Sequence, residues 1–570
     1  MRDASIFPDC GARFDNGEAE RFRLANIIQH VFVLMLENRS FDHMLGFSGI
    51  TGRDAVSGGA TSVDGLLLLG GSLRQLASNW GTDRASSIVI NQGKNLPPPP
   101  ISVRSLFETS FSNSNGGQVY PVTQPADYVM PVDPGHEFPD VVQQLCGAGK
   151  TYPRGGAYPP CDNSGFVYSY VQSGGANPGE IMKCYSPGQL PVLNQLAQEF
   201  VICDNWHCSM PGPTWPNRFF ALGASSGGLD HSPSPLDMSG WELPGNGFTF
   251  PNGSIFDRLN NAGISWKIYA GDHLPVVGAL SGVDILDISD YSDFAGDVAQ
   301  ANYQPAYTFI EPNYGDTLLQ TFRCGTSQHP VDDVTRGEVL IKATYEAIRS
   351  SPVWGSSLLI ITWDEHGGFY DHVAPPPAAA PGDTMPGSQY NQWGFTFQQY
   401  GPRVVAVVIS PLIPRNLIDH RLYDHSSIPA TLESLFGLSA LTQRDAKANN
   451  SMPLVSLTTP RVDTPPVLVP TMPQDPGCDP VSFDRRMAKG KAGARKGGKI
   501  SRPNETYATG NTPGFLFVAL RSDLALSPPA QAAAIRARFK KIKTRADAAQ
   551  YMDEVRVKVS AARSMRRRRK

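Results

Sequence analysis

Five stretches of this chain are mostly apolar: 30–36, 199–203, 264–269, 357–363 and 403–410. Runs this short, bounded by polar residues and turn formers, predict strands buried on both faces. Between them, 187–198, 215–225, 253–262, 335–350 and 426–436 place apolar residues at helical spacing and predict helices. The alternation predicts an α/β fold, an open and mostly parallel sheet with helices on both faces. Two Gly/Pro/Ser-rich connections, 52–132 and 227–250, are too long for ordinary α/β loops. They are expected to be insertions that wall a site or stay mobile.

The first run ends in Glu37-Asn38-Arg39-Ser40-Phe41-Asp42-His43, and the fourth in Asp364-Glu365-His366-Gly367-Gly368. Open α/β sheets bind ligands at such strand exits. Ser40 can cap a following helix, so the first motif alone also reads as a turn. Two acidic pairs at one sheet edge change the balance. Three carboxylates at close range repel one another by several kcal/mol unless a cation compensates them. Carboxylate and amide oxygens are ligands for a hard ion. The expected ligands are Glu37, Asn38, Asp364 and Glu365, and glycines at 367–368 allow a sharp backbone turn beside them.

A hydroxyl follows the second run, in Pro211-Gly212-Pro213-Thr214-Trp215-Pro216-Asn217-Arg218. Thr214 stands at an expected helix start, where it reads either as an N-cap or as a nucleophile. A helix start favours a phosphoryl group through its free N–H groups and dipole. His136 in Asp133-Pro134-Gly135-His136-Glu137 and His329 before the 335–350 helix are candidates for phosphate contact and general acid work. Asn217, His366, Asp424 and His425 stand next to these motifs as supporting positions. No HExxH, P-loop or dinucleotide motif is present.

Charge divides the 570-residue chain. Residues 483–570 hold 23 Lys+Arg against 6 Asp+Glu, a net +17, and the remainder is net -20. This suggests a catalytic domain over 1–440, a Pro-rich linker over 441–482 and a basic, partly helical C-terminal region over 483–570. Within that region Gly514–Leu520 reads as a strand or docking segment and 531–562 as helical. A basic stretch suits an anionic membrane surface, a solubilising flank or docking on the acidic body; no specific nucleic-acid partner is indicated. The first 17 residues lack an apolar signal core, and no run of about 18 apolar residues spans a membrane. A cytoplasmic protein, or one exported without an N-terminal signal, is expected. The eight cysteines show no short-spaced framework, and most read as buried thiols.

Taken together, Glu37 to His43, Asp133 to His136, Pro211 to Arg218, His329-Pro330 and Trp363 to Gly368 resemble bacterial phospholipases C. Those enzymes are related to the respiratory-burst-inhibiting acid phosphatases, and the resemblance extends over about 30–440. It implies an alkaline-phosphatase-like fold, with Glu37, Asn38, Thr214, Asp364 and Glu365 around one divalent metal ion. Ca, Mg or Mn suits the oxygen set, and Zn or Fe stays open. It further implies Thr214 as nucleophile and His136 and His329 at the phosphate or leaving group. The substrate would be a phospholipid or other phosphoester. A phosphomonoesterase and a weakly catalytic anionic-surface binder are the alternatives. Trp206, Trp215, Trp363 and Trp393 are candidates to box a choline cation or, alternatively, core residues.

Overall fold

The computed structural model describes residues 27–67, 111–242, 247–317, 322–383, 388–473, 478, 504–508 and 510–568. The N-terminal stretch, part of the 52–132 insertion and the basic run at 485–496 lie outside the described residues.

Ten strands form the main sheet: β1 (His30–Leu36), β2 (Thr51–Asp54), β3 (Ala60–Ser62), β4 (Val201–Cys203), β5 (Trp266–Ala270), β6 (Ile288–Asp290), β7 (Tyr307–Glu311), β8 (Ser357–Trp363), β9 (Ala406–Ile409) and β10 (Leu417–Asp419). Their spatial order is β3-β2-β10-β4-β9-β8-β1-β7-β5-β6. Most pairings are parallel. β9 runs against both its neighbours, and β3 runs against β2. All five apolar runs became strands of this sheet.

Every residue of β1 and β8 is buried. Successive side chains point to opposite faces, so both faces of these strands are covered. The helix Thr335–Arg349 packs on β1 and β8, and Pro191–Glu199 packs on β4 and β9. Glu338 ties these two helices together. Its carboxylate accepts the Val192 and Leu193 amides at 2.8 and 3.0 Å, at a helix start where free N–H groups need partners. β1 and β8 pair in register with Leu36 opposite Trp363. That register alone brings the Glu37 and Asp364 motifs side by side.

The Pro-rich stretch after residue 440 lies along the Thr335–Arg349 helix. The Tyr345 hydroxyl donates to the Pro465 carbonyl at 2.7 Å, and the Leu468 amide to Glu346 at 2.7 Å. A disulfide joins Cys324 to Cys478 across 154 residues. The cysteine spacing gave no sign of it.

Gly514–Leu520 is not a strand. It lies in the helix Thr512–Ala525, almost wholly buried and part of the same hydrophobic core as the sheet. A helix buried on all sides loses its amphipathic period, so its sequence resembles a buried strand. The helices Ala532–Phe539 and Arg545–Arg567 follow it, and Arg545–Arg567 packs on Thr512–Ala525.

Candidate active site at the strand exits

Glu37 and Asn38 leave β1, and Asp364 and Glu365 leave β8; all four side chains are fully buried. The two exits are laced together by backbone. The Asn38 amide donates to Asp364 Oδ1 at 3.0 Å, and the Arg39 amide to the Glu365 carbonyl at 2.8 Å. Asn38 adopts a positive φ of 60°, and Gly367 and Gly368 adopt 64° and 73°. A Cβ at Gly367 would collide with the Asn38 carbonyl oxygen. The glycine pair is what lets the second exit fold under the first.

The Thr214 hydroxyl closes the group by donating to Asn38 Oδ1 at 3.3 Å. Pro213, not Thr214, is the N-cap of Thr214–Gly223, and the Thr214 side chain makes no cap bond. The capping alternative is therefore removed. Asn217 holds this entry in shape: its amide donates to the carbonyls of Met210, Gly212 and Pro213 and accepts the Met210 amide.

Both Glu37 carboxylate oxygens and Glu365 Oε1 are buried without a hydrogen-bond partner. Burial, then the Asp364 charge, pushes the Glu37 carboxyl well above its ordinary range. Asp364 differs. Its Oδ2 accepts Arg218 Nε at 2.9 Å and its Oδ1 accepts the Asn38 and Glu365 amides. A carboxylate has about four acceptor sites, so Asp364 keeps capacity to spare. Unpaired hard oxygens in a buried cluster are the chemistry of a divalent-cation site.

Among the described residues two three-residue groups bring their ligand atoms within 4.8 Å of one another, Asp133-His136-His329 and Asp42-Asp371-His372, and the strand-exit carboxylates form no such group. The second is already neutralised. Arg403 donates to Asp371 Oδ1 at 2.9 Å and Asp42 Oδ1 at 3.1 Å, while His372 Nδ1 meets Asp42 Oδ2 at 2.8 Å. Asp42 thus serves an ion-paired network behind the motif. In the first group His329 is fully buried, stacks on Phe322 and leaves both ring nitrogens without a hydrogen bond, its Nε2 lying 3.8 Å from Asp133 Oδ2. Burial, with His136 and Arg39 adding to it, holds its pKa well below the ordinary value. His136 is opposite. Burial lowers it, but Glu365, Asp133 and Glu137 together raise it to about 9, so it carries charge at neutral pH.

His366 Nε2 contacts Gln144 Oε1 at 2.7 Å, and its other nitrogen lies 3.3 Å from Glu365 Oε2. His425 Nε2 reaches the Asp364 carbonyl at 2.5 Å, and Asp424 pairs with Arg444 at 3.2 Å. These three supporting positions, with Asn217, surround the centre without joining its unpaired oxygens. Trp206, Trp215 and Trp363 are fully buried, and among the four tryptophans considered only Trp393 reaches solvent. The choline-box reading therefore does not hold for the first three.

Sequence reading passed over three organising residues. Arg218 lies four residues after Thr214, on the same helix face, and anchors Asp364. Arg39 donates to the Gln328 and His329 carbonyls and fixes the His329 loop. Gln144, from the helix Phe138–Cys146, orients His366. The i,i+4 spacing of Thr214 and Arg218 was the one visible signal.

The sequence profile of a family described as the phosphoesterase family matches residues 28–439. The chain is 34% identical to Non-specific phospholipase C6 of Arabidopsis thaliana over 466 residues, covering 78% of this chain and 76% of that protein. It is 26% identical to Phospholipase C A of Mycobacterium tuberculosis, covering 80% and 82%. Among solved structures, a protein in the alkaline phosphatase superfamily from Vibrio parahaemolyticus aligns with 13% identity and a TM-score of 0.28, over 48% of this chain and 64% of that chain.

Proposed function

This chain belongs to the phosphoesterase family, and from that premise we propose a phospholipase C-type reaction at the strand exits. The substrate is the phosphodiester of a phosphatidylcholine-like lipid, cleaved through a phosphothreonine on Thr214. One observation carries the reading. The Thr214 hydroxyl, free of any capping role, is buried against Asn38 beside carboxylate oxygens that nothing pairs.

Glu37, Asn38, Thr214, Asp364 and Glu365 would hold one divalent ion, with Ca, Mg or Mn favoured by the oxygen donors. When bound, such an ion offsets the clustered negative charge and lowers the pKa of a hydroxyl. Thr214 Oγ gives up its proton to solvent and attacks phosphorus in line from the helix start, breaking the bond to the diacylglycerol oxygen, while the free N–H groups there favour the phosphoryl oxygens. Cationic His136 protonates the departing diacylglycerol oxygen. Water cleaves the phosphothreonine in the second step, giving its proton to neutral His329, while Thr214 Oγ leaves phosphorus and regains its proton from solvent. Arg218 keeps Asp364 oriented throughout.

The basic C-terminal region supplies the surface contact. Thr512–Ala525 is buried, so contact with an anionic membrane falls to the outer helices and the C-terminal arginines. Each basic residue near such a bilayer adds about 1 kcal/mol, screened by salt.

A paired assay tests the chemistry: a phosphocholine diester and a simple phosphomonoester, each with and without chelator. Diester hydrolysis should dominate and should fall on chelation, returning when a divalent ion is restored. Preference for the monoester would move the assignment to a phosphatase.

A further inference from the structure

Two free cysteines meet outside the strand-exit centre. Cys146 ends the helix Phe138–Cys146, and Cys161 closes the loop after it. The Asp162 and Asn163 amides both donate to the Leu145 carbonyl, at 2.7 and 2.9 Å. These bonds clamp the residue after Cys161 to the residue before Cys146, so the two cysteines are held as backbone neighbours. Both thiols also converge on one acceptor, the Pro159 carbonyl, at 3.5 Å from Cys146 Sγ and 3.8 Å from Cys161 Sγ. Contact with the Cys161 thiol, more than burial, pushes the Cys146 thiol far above its usual range. A disulfide needs Cα atoms roughly 4.4–6.8 Å apart and side chains that face one another; the clamp holds the two backbones together, and the thiols already touch and share an acceptor.

We propose that Cys146 and Cys161 form a redox-active thiol pair that closes into a disulfide and staples the 147–160 loop onto the wall of the catalytic site.

The loop is part of that wall. Tyr152 and Tyr158 pack on Phe138 and Phe395. The Gly155 amide donates to the Gly394 carbonyl at 3.0 Å, and Arg154 to the Gln392 carbonyl at 2.6 Å. The helix that Cys146 ends begins beside His136 and carries Gln144 to His366. A bond between the cysteines therefore fixes the aromatic wall and the helix holding two site contacts. The pair differs from Cys324 and Cys478, which are already joined.

The chemistry is thiol–disulfide exchange with a small disulfide of the oxidised glutathione class. Cys161 is half-buried and open to attack; Cys146 is 6% exposed. The Cys161 thiolate attacks one sulfur of the small disulfide and releases one small thiol. Cys146 then attacks the Cys161 sulfur of the mixed disulfide and releases the second. Two protein thiols lose two electrons and two protons, and one small disulfide becomes two thiols.

The full-length protein is incubated with oxidised glutathione, alkylated, and mapped by mass spectrometry. Cys146 and Cys161 should lose alkylation together and regain it with dithiothreitol, while buried Cys184, Cys203 and Cys208 stay unchanged. Brief trypsin treatment, which can cut after exposed Lys150 and Arg154, supplies a second readout. Fragments on either side of the cut should stay joined on a non-reducing gel for the oxidised protein. They should separate for the reduced protein and for Cys161→Ser or, should that variant misfold, Cys146→Ala. If both thiols stay alkylatable, or Cys161 ends as a lasting glutathione adduct with Cys146 free, the proposal is overturned.

Discussion

The strand-exit centre and the C-terminal helices both bury charged groups, but they treat them in opposite ways. At the exits Glu37 has no partner for either oxygen, Glu365 leaves one oxygen bare, and His329 leaves both nitrogens without a hydrogen bond. In the C-terminal helices Asp523 accepts the Tyr551 hydroxyl at 3.0 Å, Lys558 at 2.5 Å and Ser527 at 3.3 Å. Arg521 donates to the carbonyls of Gly278, Leu280 and Val283 through its two terminal nitrogens, and its Nε alone stays without a partner. Burying an unpaired polar group is costly, so folds remove such groups unless something else needs them. Among these carboxylates the paired one, Asp523, belongs to a packing joint, and the unpaired ones, Glu37 and Glu365, gather at the strand exits where a ligand would complete the structure.

The largest expected effect falls on the unpaired side. Thr214→Ala should lower kcat by at least about 10³-fold, since a covalent route is lost. Its stability should change by only about 1 kcal/mol, because one hydrogen bond and no cap is removed. Burst and steady-state kinetics alongside urea melts separate the two. Activity within a few-fold of the parent would dissolve the contrast at its strongest point.

On the packing side, Phe515 contacts Trp215, the neighbour of the nucleophile, at a centroid distance of 5.5 Å, and Tyr314 at 5.2 Å. Tyr314 in turn lies under the Arg218 guanidinium at 5.2 Å. Phe515→Ala should cost about 3–5 kcal/mol of stability, read as a lower urea midpoint. Unchanged stability would mean that the helix is an appendage and not part of the core. A chain ending near Pro480 should for the same reason aggregate or unfold, because the Trp215 face would be bared.

These two regions were not equally legible. Each exit motif follows a continuous apolar run, so strand, edge and chemistry could be read from neighbouring residues. Thr214, His136 and His329 came from separate motifs and needed the family resemblance to be joined. Arg218, Arg39, Gln144 and Arg403 act through partners 30 or more residues distant, as with Arg403 and Asp42, which no local pattern encodes. Thr512–Ala525 misled because full burial erases helical periodicity. The Cys324–Cys478 pairing needs the fold itself, since spacing alone cannot fix connectivity.

A third prediction concerns a paired group beside the site wall. His231 lies between Asp230 at 3.1 Å and Asp237 at 2.9 Å. Burial lowers its pKa, but these two carboxylates raise it to about 9. A folded value above the unfolded one, about 6.5, means that its stabilisation is fully present below pH 6.5. It is lost as pH rises through 9, an effect of about 2–3 kcal/mol. Thermal melts from pH 6 to 10 should therefore show a fall that His231→Gln flattens. An equal fall in both proteins would remove His231 from the paired class.

The smallest effect gives the comparison its sharpest form, because the same kind of substitution should have opposite signs in the two regions. Glu37→Gln and Asp523→Asn each replace a buried carboxylate by an amide of like shape. In metal-free protein burial and the Asp364 charge drive the Glu37 carboxyl toward its neutral form against Arg218 and Ser327, and neither oxygen has a hydrogen bond. Where that carboxyl is ionised, Glu37→Gln should raise stability by about 1 kcal/mol. Asp523→Asn strips a charged partner from Lys558 and a strong acceptor from Tyr551, and should lower stability by about 1–2 kcal/mol. Adding a divalent ion should stabilise the parent through binding to the folded state alone and should do so far less for Glu37→Gln. The Asp523→Asn protein should gain as much from the ion as the parent does. Six melts, the parent and two variants each with and without the ion, carry the whole test. A Glu37→Gln protein less stable than the metal-free parent would show that the Glu37 oxygens are already satisfied, and the reading of unpaired polarity as a ligand site would fail at its central residue.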